Sequence, residues 1–343
     1  MSSIYGPETG QLDPDLRYDH RLSSHTSTLH RTSGNDPLGF LLTLAAVLLW
    51  GVLAISLKLL LVGGMDAYTI TWYRMVISAL LLGSFQASRG QLPSLGALAG
   101  WSWGLLALAF VGLVGNYVLF SVALSYIPPT TAQLVLQLAP ILMLAGSLVI
   151  FRESFSRPQA LGVAGLMIGL LLFFNDRLDA LLHLSGVEAI GVAIVVVSSV
   201  LWASYALAQK QLLVALSSPN ILLLIYVGAA VLLLPMATPS QVTTLGGFEL
   251  GLLAFAIFNT LAAYGCFAEA LQHWEASRVS AAISLTPLVT IVAVYAILAF
   301  WPSAQVGTRL DSLGLIGAAL IVAGSTLTAL WRPAAAIEPL DLE

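Results

Sequence analysis

Charge is scarce in this sequence. Aspartate, glutamate, lysine and arginine together make up 9% of its 343 residues, whereas about a quarter is usual for a soluble domain. Hydrophobic residues make up 58%, and the mean hydropathy is +0.92. A soluble chain of this length would need a polar outer face that so few charged residues cannot supply. The composition therefore predicts an integral membrane protein that is surrounded by the lipid bilayer.

Cysteine is nearly absent too, since Cys266 is the only one in the chain. One cysteine excludes an intramolecular disulfide and a metal site built from several cysteines, and the sequence has no H-E-x-x-H metal motif. It also has no basic patch of the kind that binds nucleic acid and no G-x-x-x-x-G-K-[ST] loop for a nucleotide phosphate. We therefore expect no catalytic residue, no metal, no cofactor, no nucleic-acid partner and a source of energy other than ATP.

Ten apolar runs follow one another along the chain, each close to the ~20 residues that a helix needs to cross a bilayer. They lie at 39–62, 67–86, 101–124, 129–151, 158–175, 187–209, 219–236, 249–271, 278–300 and 312–331. Backbone in lipid must satisfy its hydrogen bonds internally, so the runs predict an all-α integral membrane fold with ten transmembrane helices. Residues 1–38 are too polar to fold alone and are expected to form a disordered tail. Residues 332–343 are expected to form a short C-terminal tail.

Arginine and lysine are distributed unevenly between the two sides of this arrangement, and the side richer in them is normally cytoplasmic. With the N-terminus inside, the cytoplasmic connections contain Arg89, Arg152, Arg157, Lys210 and Arg278, and the tails add Arg17, Arg21, Arg31 and Arg332. The opposite side contains only Arg177 and Arg309. The bias predicts a protein of the inner membrane with both termini in the cytoplasm.

The two halves of the chain resemble each other, which indicates a duplication. Trp50 and Lys58 recur as Trp202 and Lys210 at a shift of 152 residues, and Tyr117 and Pro140 recur as Tyr264 and Pro287 at a shift of 147. The halves, 39–175 and 187–331, would each contain five spans. Because five is odd, the second half would enter the membrane in the opposite orientation. Such inverted repeats are typical of alternating-access transporters.

The types and the order of several residues resemble the pattern of a known family. They are Trp50, Gly51 and Lys58 in the first span, Arg74 in the second, Ala123, Leu124 and Tyr126 at the end of the third, Pro140 in the fourth, and Glu153, Gln159 and Gly162 in "ESFSRPQALG". Over residues 40–331 the chain is similar to the EamA-like branch of the drug/metabolite transporter superfamily. The resemblance implies a carrier that moves a small organic solute, such as an amino acid or a related metabolite, outward. One departure is that Trp301 and Pro302 stand where the second half would repeat Glu153.

Glu153 is the first of five charged candidates for gating or coupling. It lies beside Arg152 and Arg157 in a predicted cytoplasmic turn, where an exposed ion pair would contribute only about 0–1 kcal/mol. A solvated turn with a local ion pair is the favoured interpretation. A gate that closes the inward end during transport is the alternative.

The other charged candidates lie within or at the ends of apolar runs, where charge is costly and usually faces a cavity or a partner. Lys58 and Lys210 are near span ends, so their long side chains are expected to reach the membrane interface. Arg74 lies deeper, and a packing role and a substrate role are equally open for it. Glu269 is expected at the interface, with proton coupling as the alternative.

Uncharged polar and aromatic residues predict a central substrate cavity. Gln133 and Gln137 are four residues apart and therefore share a helix face. The repeat maps them onto Ser280 and Ser284. The remaining candidates are the aromatic repeat pairs Trp50 with Trp202 and Tyr117 with Tyr264. Packing or hydrogen bonding between helices is the alternative role for each of them.

Two other functions stay open at this point. "GWSWG", residues 100–104, fits the G-x-S-x-G pattern of hydrolases, but a nucleophile elbow needs a strand-to-helix turn, whereas this segment opens an apolar helix. A membrane sensor or scaffold that transports nothing would have the same spans. The sequence does not indicate an oligomeric state.

The charge bias predicts the outcome of reporter fusions. Fusions after Arg89, Arg157 and Lys210 should report the cytoplasm, and fusions after Pro129 and Pro239 should report the opposite side. Paired alkaline phosphatase and fluorescent-protein fusions measure both outcomes. Phosphatase activity after Arg157 would contradict the span count and the orientation together.

Overall fold

In the computed structural model the described residues are 30, 32–94, 96, 98, 100–153, 155–173, 175, 186–302, 304 and 312–331. Within these ranges the chain is helical and contains no strand. The α-helices are α1 (Asp36–Val62), α2 (Ala67–Ser88), α3 (Gly100–Tyr126), α4 (Pro129–Leu136), α5 (Leu138–Ile150), α6 (Arg157–Phe173), α7 (Val187–Leu212), α8 (Ser218–Leu233), α9 (Gly247–His273), α10 (Ala276–Ile283), α11 (Thr286–Phe300) and α12 (Ser312–Leu330). Most of the predicted N-terminal tail, the C-terminal tail, Arg177 and Arg309 lie outside the described residues.

The helices follow the predicted runs closely, with one difference. The runs at 129–151 and 278–300 each divide into two helices, at Gln137 and at Ser284–Leu285 respectively. Pro140 and Pro287 explain the breaks, because proline has no amide hydrogen and its ring clashes with the carbonyl four residues earlier.

Seven helical segments of the described chain are long and apolar enough to cross a membrane by length and composition. They are Asp36–Val62, Gly100–Tyr126, Pro129–Ile150, Val187–Leu212, Ser218–Met236, Gly247–His273 and Ala276–Phe300. The apolar stretches Arg157–Leu172 and Ser312–Thr328 are shorter, and α2 is more polar because it contains Arg74 among other polar side chains. The chain is therefore an all-helical, multi-pass membrane protein.

Side chains determine where the first two helices begin. α1 begins inside the region assigned to the N-terminal tail, where the Asn35 side chain accepts a hydrogen bond from the Leu38 amide at 3.4 Å. At the start of α2, Asp66 accepts hydrogen bonds from the Thr69 amide at 2.9 Å and from the Thr69 hydroxyl at 2.6 Å. Such caps satisfy amides that have no partner inside the helix.

The helices pack mainly in pairs that join the first half of the chain to the second. α1 lies against α9, α3 against α7, α2 against α8 and α6 against α12. The broken helices follow the same pattern, since α4 and α5 pack on α7, and α10 and α11 pack on α1. One continuous core of buried side chains includes α1, α3, α7 and α9. These four helices therefore form the centre of the molecule.

Glycine lets α6 and α12 approach each other backbone to backbone. A Cβ added at Gly169 would lie 2.7 Å from the Ile321 amide nitrogen, and one added at Gly324 would lie closer still to the Gly162 carbonyl oxygen. Gly165 has more room, because the nearest atom would be the Gly324 Cα at 3.9 Å. Backbone atoms cannot turn aside as a flexible side chain can, so positions 169 and 324 require glycine.

This contact predicts unequal effects for two alanine substitutions in the same interface. Gly324→Ala should destabilise the protein by about 1–3 kcal/mol or more, because the added methyl group forces the two backbones apart. Gly165→Ala is the matched control and should be neutral or slightly stabilising, since alanine favours helix by about 1 kcal/mol. The melting temperature in detergent measures both. Equal melting temperatures for the two variants would show that the helices do not touch in this way.

Candidate functional site

A cavity of about 70 Å³ lies between the central helices. That volume holds a few water molecules. Five of the predicted cavity residues line it, namely Trp50, Gln133, Gln137, Trp202 and Tyr264. The rest of the wall is largely apolar, which is usual for sites that bind small molecules.

Both helix breaks lie at the wall of this cavity. Pro140 leaves the Leu136 carbonyl without its helical partner, Pro287 does the same for Ile283, and both Leu136 and Ile283 line the cavity. The Ile283 carbonyl accepts a hydrogen bond from the Thr286 hydroxyl at 2.6 Å instead. Membrane carriers commonly place broken helices where the exposed backbone faces an internal cavity. The breaks therefore bring polar backbone groups next to the space where a solute would bind.

Aromatic rings form one side of the cavity. The Trp50 ring lies 5.8 Å from that of Trp202 and 5.0 Å from that of Tyr264, measured between ring centroids. Tyr117 is not part of the wall, but its ring lies 4.9 Å from Tyr264. In both aromatic repeat pairs, Trp50 with Trp202 and Tyr117 with Tyr264, the two rings thus contact each other directly.

Several polar atoms at the cavity have no hydrogen-bond partner among the described residues. They are Trp50 Nε1, Gln133 Oε1 and Gln137 Oε1. The two glutamines are 3% and 5% exposed. A buried polar group without a partner costs about 1–3 kcal/mol, so an uncompensated group in a cavity wall is a group that a bound solute can satisfy.

The two predicted serines do not line the cavity, which corrects that part of the sequence analysis. The Ser280 hydroxyl donates to the Pro140 carbonyl, and the Ser284 hydroxyl donates to the Ser280 carbonyl at 3.3 Å. Both hydroxyls therefore serve the packing of the two helix breaks. The sequence analysis missed Asn116, which lines the cavity and donates to Ser198 Oγ at 2.9 Å. The available signal was an amide side chain inside the apolar run of α3.

Glu153 lies in a buried cluster, and the interpretation as a solvated turn is wrong. It forms an ion pair with Lys210, and the side chains of Lys210 and Glu153 are only 2% and 7% exposed. The Glu153 carboxylate also accepts hydrogen bonds from the amides of Ala276 and Ser277, both at 3.0 Å, at the start of α10. Glu153, Lys210, Ala276 and Ser277 are called the Glu153 cluster below. It joins the α5–α6 turn to α7 and α10, and the Lys210 side chain is directed into the protein.

The pKa of Glu153 lies below its usual value. Burial alone would raise this pKa, but the charge of Lys210 and the hydrogen bonds from Lys210 and Ser277 outweigh burial. The carboxylate is therefore ionised at neutral pH. Its contribution to stability is present above the pKa of the unfolded state and is lost as the pH falls through the lower pKa of the folded state.

A second ion pair lies at the same end of the molecule. Arg278 Nη1 and Asp36 Oδ2 are 3.1 Å apart, which links α10 to the start of α1. Glu269 Oε1 lies 3.3 Å from His273 Nε2 near the end of α9, and the Glu269 side chain is 39% exposed. The start of α1 and the end of α7 are therefore connected to the α5–α6 turn through charged side chains and α10, whereas the contact between Glu269 and His273 lies within α9.

Lys58, the repeat partner of Lys210, has a different environment. Its Nζ donates to the Leu124 carbonyl at 2.7 Å, near the far end of α1. No carboxylate in the described part of the chain pairs with it. The ion pair between Glu153 and Lys210 thus has no counterpart at Lys58 among the described residues.

Arg74 is buried in α2 and is only 2% exposed. Its Nε donates to Thr260 Oγ1 at 2.9 Å, and its guanidinium carbon lies 4.3 Å from the centroid of the Tyr117 ring. Both contacts are favourable, but neither Thr260 nor Tyr117 carries a negative charge.

The hydrolase motif has no support from this structure. Ser102 lies inside α3, so the G-x-S-x-G segment is helical from Gly100 onward and forms no strand-to-helix turn.

Known proteins resemble this chain over most of its length. The EamA-like transporter family matches residues 37–175 and 189–330. An uncharacterized transporter of Haemophilus influenzae is 39% identical over 293 residues, covering 85% of this chain and 95% of the relative. The uncharacterized inner membrane transporter YhbE of Escherichia coli is 37% identical over 294 residues, covering 85% and 91%. A probable amino-acid metabolite efflux pump of Salmonella typhimurium is 25% identical over 299 residues, covering 83% and 92%.

The fold also has a solved counterpart, described only as the crystal structure of a protein. The two share a TM-score of 0.64 at 20% sequence identity, over 88% of this chain and 98% of the other. This likeness shows a common fold.

Proposed function

Because the chain belongs to the EamA-like transporter family, we propose that it is an inner-membrane carrier that exports a small organic metabolite, such as an amino acid or a related compound. The observation that carries this proposal is the central cavity, in which Trp50, Gln133 and Gln137 present polar atoms that have no hydrogen-bond partner among the described residues. Its similarity to a relative named as a probable amino-acid metabolite efflux pump supports the solute class and the direction. Similarity to YhbE, which is named an inner membrane transporter, supports the location.

The proposal includes ten spans in two inverted repeats, 39–175 and 187–331. The family matches the chain in two segments with nearly these boundaries. The packing of α1 on α9 has its equivalent in the packing of α7 on α3. Repeat pairs such as Trp50 with Trp202 touch each other, as residues close to a two-fold axis do. These features support alternating access, in which the two halves rock about a central site and a gradient supplies the energy.

The Glu153 cluster is the proposed gate at the cytoplasmic end. It joins three parts of the chain that come from both halves, and removing one partner of a buried ion pair is strongly unfavourable. In the closed state Glu153 and Lys210 stabilise each other, and in an open state water would reach both charges and hydrate them. The cluster therefore favours two discrete arrangements over a partly open one.

The gate predicts a change in thiol accessibility. Ser277→Cys in a Cys266→Ser chain places a single thiol within the cluster, at a side chain that is fully buried. Glu153→Gln in this background should increase labelling by a membrane-impermeant maleimide in inside-out vesicles by about tenfold, which corresponds to about 1.4 kcal/mol.

The control for this measurement is Arg152→Gln, which neutralises an exposed charge in the same turn and should leave labelling unchanged. Size-exclusion chromatography verifies that each variant is folded. Labelling that does not respond to Glu153→Gln in folded protein would contradict the gate.

The cavity predicts selective loss of solute affinity. Gln133→Leu and Gln137→Leu should weaken transport by about fivefold to more than a hundredfold, because each removes a group worth about 1–3 kcal/mol to a hydrogen-bonded solute. Flux of radiolabelled amino acids and related metabolites in proteoliposomes measures the effect, with the melting temperature as the test of folding.

Gln209→Leu is the matched control. Gln209 is fully buried and has no hydrogen-bond partner among the described residues, but it does not line the cavity. The Gln209→Leu variant should therefore transport solute at the same rate as the unaltered protein. Normal transport by both cavity variants would show that the solute binds elsewhere, and no flux across the whole panel would favour a sensor or scaffold.

A further inference from the structure

The guanidinium of Arg74 is only partly compensated. An arginine side chain has five N–H donors, and the hydrogen bond from Nε to Thr260 Oγ1 is the only one that Arg74 makes with the described residues. No carboxylate in the described chain pairs with it. A charge that is 2% exposed in a membrane protein usually faces a partner or a substrate pathway. The described residues provide no acidic partner for this charge.

Arg74 lies directly behind the aromatic wall of the central cavity. Its guanidinium lies over Tyr117, the Tyr117 ring contacts Tyr264, and Tyr264 lines the cavity. Thr260, which accepts the hydrogen bond from Arg74, is one helical turn before Tyr264 in α9. The Tyr117 ring therefore separates the guanidinium from the wall residue Tyr264, and the hydrogen bond of Arg74 goes to the helix that carries Tyr264.

The cavity wall carries no opposing charge. None of the residues that line it is acidic, and Glu153 is already paired with Lys210. Because interior sites screen charge poorly, the field of Arg74 extends into the cavity. The buried positive charge of Arg74 would repel an organic cation in this cavity, whereas it favours a negative group on the solute.

We propose that Arg74 is the anion-binding residue of the cavity and that the transported solute carries a carboxylate. This inference rests on the proposed carrier function. A carboxylate that entered between the tyrosines would find a planar donor group able to form two parallel hydrogen bonds. Without solute, the Tyr117 ring and the Thr260 hydroxyl shield the charge.

The test compares acids with their amides, in which a neutral carboxamide replaces the carboxylate. The probes are 3-phenylpropanoate with 3-phenylpropanamide, L-phenylalanine with L-phenylalaninamide, and L-leucine with L-leucinamide. They are titrated against the full chain in nanodiscs, with intrinsic tryptophan fluorescence as the signal, to which Trp50 and Trp202 of the cavity wall contribute. At least one acid should bind about tenfold more tightly than its amide, a difference of about 1.4 kcal/mol.

Four variants separate a charge effect from a structural one. Arg74→Gln should bring the acid-to-amide ratio close to one, and Arg74→Lys should retain part of the preference. Thr260→Val removes the hydrogen bond but leaves the charge, so it should keep the ratio. Gln137→Leu should weaken both members of a pair and also keep the ratio. If Arg74→Gln does not fold, the inference is tested on Arg74→Lys, which must bind the acid more tightly than the amide.

Two results would overturn the inference. One is equal binding of acid and amide by the unaltered protein, and the other is an unchanged ratio in folded Arg74→Gln. Absence of binding by every acid, together with flux of a neutral or cationic solute in proteoliposomes, would also overturn it but would leave the carrier function in place. Absence of flux for any solute would instead overturn the carrier function.

Discussion

Compensation of buried charge is the constraint on which this structure depends. A charged group in a low-dielectric interior is costly unless something nearby neutralises or solvates it. Lys210 meets this requirement with Glu153, and Glu153 in turn binds two amides of α10. Lys58 has a carbonyl and Arg74 has a hydroxyl and a ring. Compensation is complete at the Glu153 cluster and incomplete at Arg74 beside the cavity, where the proposed solute would supply the missing negative charge.

The sequence predicted the helices well because the length of an apolar run is a local property. It did not predict the partner of Glu153, which is 57 residues away in the chain, because the local alternatives Arg152 and Arg157 were closer in sequence. The helix breaks were also missed. Pro140 and Pro287 were matched to each other as repeat partners, but a proline near the middle of a long apolar run is equally the signal of a broken helix.

The repeat predicted the cavity only in part, for a physical reason. The paired large side chains such as Trp50 and Trp202 lie together in the structure, since two bulky rings at equivalent positions near an axis have to pack against each other. The repeat was wrong for Ser280 and Ser284, since an internal repeat matches backbone positions but not the direction of a hydroxyl. Serine in a helix readily bonds to a nearby backbone carbonyl, whereas the longer glutamines reach the open space.

The one-sided position of the Glu153 cluster has a kinetic consequence for the proposed carrier. If the two ends close with different free energies, the two faces of the membrane will show different half-saturating solute concentrations and different maximal rates. For an uncoupled carrier, detailed balance nevertheless requires that the maximal rate divided by the half-saturating concentration has the same value on both faces. The ion pair of the proposed gate can thus determine the maximal rate and the half-saturating concentration on each face. Only a gradient can determine the direction of net accumulation.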